Sequence, residues 1–109
     1  MSRKPEEHTD DIFLFQDENG KITVREENGT RFLVRPDKNT PYTGGNVSCH
    51  TVITDSGEYL VLATGDMDGN ILKFAWEKST QKVSISIIRQ LGVPILGLKY
   101  VNYGFEFKI

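Results

Sequence analysis

Short apolar runs that alternate with glycine-bearing turns commit this chain to antiparallel sheet. β-Branched and aromatic residues recur as IFLF (12–15), KITV (21–24), RFLV (31–34), VSCHTVI (47–53), YLVLAT (59–64), ILKFAW (71–76), KVSISII (82–88) and ILGLKYV (95–101). Runs of this length and period suit half-buried strands. Between them stand Asn19-Gly20, Asn28-Gly29, Ser56-Gly57 and Asp68-Gly69. Asn, Asp and Gly tolerate the positive φ of tight hairpins, so Asn19, Gly20, Gly57, Asp68 and Gly69 are assigned as turn residues. No segment carries a sustained helical stripe, and no long helix is expected. The expected fold class is all-β, an antiparallel meander of roughly seven to nine short strands.

The runs repeat. Laying residues 12–34 over 60–85 matches Asp17 with Asp66, Asn19 with Asp68, Gly20 with Gly69 and Ile22 with Ile71, at an offset of 49. A second overlay sets GGNVSCHTV (44–52) against GVPILGLKY (92–100), matching Gly44 with Gly92 and Val47 with Ile95 at an offset of 48. Two overlays with nearly one period divide the chain into a partial unit over 12–43, a full unit over 44–90 and the start of another over 91–109. Residues 1–11 are polar, contain Pro5 and four acidic side chains, and read as a disordered tail.

Residues 46–76, NVSCHTVITDSGEYLVLATGDMDGNILKFAW, carry a family resemblance. A first strand runs into Asp55-Ser56-Gly57-Glu58-Tyr59-Leu60, a second ends in small residues, an Asp68-Gly69 turn follows, and a third strand reaches Phe74 and Trp76. This pattern resembles a WD repeat. The resemblance implies a β-propeller, here about two blade-like sheets. It also implies a non-catalytic protein–protein interaction module, a fragment or truncated form of a scaffold protein. The sequence departs from the family in having Gly44-Gly45-Asn46 where a Gly-His pair is usual, and Trp76-Glu77 where Trp-Asp is usual. A propeller needs about four blades to close, so self-association through exposed blade faces is a further expectation. The alternative fold is a small β-barrel or sandwich that binds a ligand by itself.

Composition narrows the partners to other proteins. Basic and acidic residues number 13 and 15 and are interspersed, which gives no phosphate-binding patch and no nucleic-acid partner. No run approaches the ~20 apolar residues of a membrane span. The single cysteine, Cys49, cannot form an internal disulfide, and a cytoplasmic location is expected.

No residue earns a catalytic role. His8 lies in the tail, and His50 stands beside Cys49 on a strand, where neighbours point to opposite faces and cannot form a thiol–imidazole pair. Residues 40–45 contain a Gly pair but no phosphate-loop pattern, and read as a connection between units. Asp66-Met67-Asp68-Gly69 looks like the middle of a calcium loop, echoed weakly at Asp17-Glu18-Asn19-Gly20. Calcium wants a carboxylate at the loop's first position and a bidentate Glu at its twelfth. Thr64 and Ala75 hold those places, so no metal or other cofactor is assigned and Asp66 and Asp68 are minor candidates for a calcium-binding β-repeat. Phe74, Trp76, Tyr100 and Tyr103, with Phe105 and Phe107, are candidates for packing between units or for gripping a partner.

Overall fold

A computed structural model describes residues 12–109 and shows nine strands. They are β1 (Ile12–Gln16), β2 (Ile22–Glu26), β3 (Arg31–Val34), β4 (Val47–Asp55), β5 (Tyr59–Asp66), β6 (Asn70–Glu77), β7 (Lys82–Gln90), β8 (Gly97–Val101) and β9 (Gly104–Lys108). The described residues contain no helix, and so none long and apolar enough to cross a membrane. The expected disordered tail, with His8, lies outside the described residues.

The strands fall into three separate antiparallel sheets: β1-β2-β3, β4-β5-β6-β7 and β8-β9. Among the described residues each sheet ends in strands paired on one side only, so these strands do not close into a barrel. Every hairpin within a sheet links sequence neighbours, because the tight turns leave no residues for a crossover.

Alternation decides which faces meet. Ile12, Ile22, Val24, Phe32 and Val34 turn one face of the first sheet onto Leu60, Leu62, Leu72, Phe74 and Trp76 of the second, forming one buried core. Phe32 lies 5.8 Å from Trp76, Trp76 stacks on Phe74 at 5.8 Å, and Tyr42 meets Phe74 edge-on at 5.8 Å. Aromatic pairs at this spacing add about 0.5–1.5 kcal/mol each beyond the area they bury. The opposite face of the second sheet carries Ala63 and Gly65 at its centre, beside Ile71 and Lys73. At Gly65 an added Cβ would stand 2.6 Å from Ile95, and Ile95 is itself fully buried.

Two local expectations need correction. Residues 95–101 do not form one strand: β8 begins at Gly97, and Ile95 instead plugs the second sheet, its N–H donating to the Asp66 carbonyl at 3.0 Å. Tyr103, a candidate for packing between units, packs into no sheet. With Asn102 it forms the β8–β9 turn, at φ 52° and 63°, and it is 95% exposed.

Candidate interaction surface

The matched residues of the two repeats make the same local structure. Asp17 Oδ1 accepts the N–H groups of Asn19 and Lys21, both at 2.9 Å. Asp66 Oδ1 accepts those of Asp68 and Asn70, also at 2.9 Å. Gly20 and Gly69 follow at φ 83° and 89°, and each donates its N–H to the carbonyl of its aspartate. Each turn then lies flush against the connection that leads to the next sheet. A Cβ at position 20 would stand 2.8 Å from Gly44 Cα, and one at position 69 would stand 2.6 Å from Gly92 N. Gly44 and Gly92 are the pair matched by the second overlay.

The connections are pinned by different bonds at the two ends. In the first, the buried Tyr42 hydroxyl donates to the Gly20 carbonyl, and Gln16 Nε2 donates to Tyr42 Oη and to the Gly45 carbonyl, both at 2.8 Å. Gln16 Oε1 accepts the Val47 N–H at 2.8 Å, which fixes where β4 starts. Burial pushes the Tyr42 hydroxyl above its ordinary pKa, partly offset by the Gln16 hydrogen bond. In the second, Leu91 N–H donates to the Gly69 carbonyl at 2.8 Å, and Ser48 Oγ donates to the Ile95 carbonyl. Residues 40–45 therefore serve as a strap between sheets.

The structure places Asp66, Asp68, Cys49 and His50 as follows. Asp66 is buried, and its Oδ1 is occupied by its own turn. Its Oδ2 and that of Asp68 face Gly45, whose added Cβ would meet them at 3.2 and 3.0 Å. Among the described residues, no group of three or more His, Cys, Asp or Glu side chains is placed to hold a metal. Cys49 points toward the third sheet, its Sγ 3.7 Å from the Ile95 carbonyl, whereas His50 points the other way against the Ile12 main chain. Burial pulls His50 below its ordinary pKa, opposed by its hydrogen bond to the Ile12 backbone.

Phe74 and Trp76 are core residues, and Tyr100 packs on Phe105 with ring centroids 5.2 Å apart. At the far end of the first two sheets, Lys78 Nζ bridges Asp55 Oδ1 at 2.7 Å and Glu26 Oε2 at 3.2 Å. Burial alone would lower the Lys78 pKa, but its bonds to the two carboxylates outweigh that and raise it.

The surface that does stand out was not singled out from the sequence. The face of the first sheet turned away from the core carries Phe13, Phe15 and Leu33, which are 41%, 54% and 45% exposed. Arg25 pairs across the strands with Phe13 and with Arg31, and Thr23 with Phe15 and Leu33. The Arg25 guanidinium lies 5.2 Å from the Phe13 ring centroid, a cation–π distance. Phe15, Thr23, Arg25 and Arg31 line a hollow of about 360 Å³ on this face. No protein-family model, curated protein or solved structure matches the chain. The signal for this face was in the first run: IFLF has no polar position, so both faces of that strand are apolar, and only one can meet the second sheet.

Proposed function

We propose that this chain is a non-catalytic protein-interaction module of the WD-repeat scaffold type, and that its partner-facing surface is the outer face of the first sheet. The observation that carries the reading is the mosaic of Phe13, Phe15 and Leu33 with Arg25 and Arg31. Aromatic and Arg side chains are the residues that dominate protein interfaces, because they bury large rigid areas and still satisfy polar partners. The duplicated Asp-Gly turns support the repeat architecture that such modules use to stack sheets and present their outer faces.

A photo-crosslinking side chain at Phe15 tests this in cells. Crosslinking to a discrete set of proteins is expected, with none from the same probe at Glu106 on the third sheet. Equal, diffuse labelling from both positions would count against the assigned face. Replacing Phe15 and Leu33 by Ser is expected to abolish the discrete crosslinks from a probe at Thr23. The same pair should leave the unfolding midpoint nearly unchanged, because exposed substitutions away from special features cost within about 0.5 kcal/mol.

A further inference from the structure

We infer that the outer face of the first sheet takes an acidic segment of a partner protein. The segment is extended, sets a carboxylate between Arg25 and Arg31, and lays an apolar side chain two residues away against Phe15 and Leu33. The inference rests on the interaction role proposed above and names what that face recognises.

The strand register supplies the argument. On the outward side, one row across the three strands reads Phe13, Arg25 and Arg31, and the next reads Phe15, Thr23 and Leu33. Arg25 and Arg31 are therefore direct cross-strand neighbours, with Cβ atoms about 4.5–5.5 Å apart, where like charges repel and cost stability. Among the described residues, no carboxylate forms an ion pair with either guanidinium. Glu26, next along β2, points to the other side and pairs with Lys78. Phe13 steadies the Arg25 guanidinium at 5.2 Å without neutralising it.

A carboxylate is a group that both arginines can share, because a guanidinium presents a planar fork of N–H donors that matches its two oxygens. The hollow of about 360 Å³ bordered by Phe15, Thr23, Arg25 and Arg31 gives room for an apolar side chain beside it. The two rows are two residues apart along each strand, about 7 Å, which is also the spacing of alternate side chains on an extended peptide. The chain as a whole carries a net charge of −2, so the attraction is local to this pair and does not favour a long polyanion.

The acidic residues ahead of β1 do not match this spacing. No aromatic or branched aliphatic residue occurs two positions from Glu6 or Glu7, and two positions after Asp10 and Asp11 come Ile12 and Phe13, which β1 already places. On a second copy of the chain, Asp55 stands two residues from the half-buried Ile53, but Lys78 already holds its carboxylate.

A random decapeptide library displayed against the immobilised full chain tests the inference. Selected peptides should be enriched in Asp or Glu two positions from an aromatic or branched aliphatic residue. A synthetic peptide of the selected sequence should bind about tenfold or more tighter than the same peptide with its acid replaced by the amide. That binding should weaken as NaCl rises from about 50 to about 500 mM. Arg25→Gln with Arg31→Gln should remove the preference for the acid. The unfolding midpoint of this variant should be no lower than that of the parent chain, because the like-charge contact is gone. Selection without acidic enrichment, an acidic preference that survives the double substitution, or displacement of the peptide by millimolar inorganic phosphate would overturn the inference. So would self-association that the peptide reverses, which would assign the face to a second copy. Tighter binding by a chain with Glu6, Glu7, Asp10 and Asp11 changed to their amides would also overturn it, by assigning the face to those residues. Neutral peptides selected while the Phe15 crosslinks stay discrete would sink this inference alone, whereas diffuse Phe15 crosslinks would sink the face itself.

Discussion

Asp66 shows how one side chain can fix a turn. Its Oδ1 satisfies two backbone N–H groups in a buried position, and removing it leaves both without a partner. Asp66→Ala is expected to destabilise the chain by about 1–3 kcal/mol in urea unfolding, and calcium should not restore the loss. Asp17→Ala, at an exposed turn with the same bonds, should cost less. His50 gives a pH signature. Its folded pKa lies below the ordinary ~6.5, so the unfolded chain binds the proton more readily and stability is lost as pH falls below that value. The urea midpoint should drop between about pH 7.5 and 5.5, and His50→Gln should flatten that drop. These turn residues were legible in the sequence because Asp and Gly act through bonds two to four residues away. Gln16 and Tyr42 were not, because their partners lie 22 to 31 residues off and no local pattern marks them.

At the level of the elements, the runs located the strands because alternation and turn chemistry agree along most of the chain. The exceptions have physical causes. β9 is separated from β8 by a turn built on Asn102 and Tyr103 with left-handed φ, which a β-prone aromatic residue conceals. Ile95 looks like strand but follows Pro94, and its side chain fills the space left by Gly65. The glycine turns yield a graded prediction. Gly29→Ala meets no neighbour and pays only for φ +94°, about 1 kcal/mol. Gly20→Ala and Gly69→Ala add a clash with the backbone of Gly44 and of Gly92 and Val93, which cannot swing aside. Both should cost more than about 2 kcal/mol, with Gly69→Ala the worse, as read by thermal unfolding.

Across the whole molecule, the sheets are joined by side chains, not by a shared ladder, and the aromatic stack of Phe32, Trp76 and Phe74 is the main joint. Trp76→Ala should cost about 3–5 kcal/mol, a large part of the stability of a domain this size. Trp76→Phe should cost far less, about 1 kcal/mol, because it also removes a buried indole N–H that has no hydrogen-bond partner among the described residues. A double-mutant cycle of Phe32→Leu with Trp76→Phe should show a coupling of about 0.5 kcal/mol or more. The sequence pointed to repeated units but not to the way the sheets meet, because which of two apolar faces is covered depends on the neighbouring sheet. That is why Phe13 and Phe15 emerged only with the structure.

The central claim is that three sheets pack together without sharing strands, and a map of cross-strand backbone NOEs tests it most directly. The expected map joins Val24 to Phe32, Leu62 to Phe74 and Tyr100 to Phe105. Between sheets it should contain side-chain contacts alone, such as Phe32 with Trp76. Backbone NOEs pairing β3 with β4, or β1 with β9, would mean a continuous sheet or a closed barrel and would contradict the account.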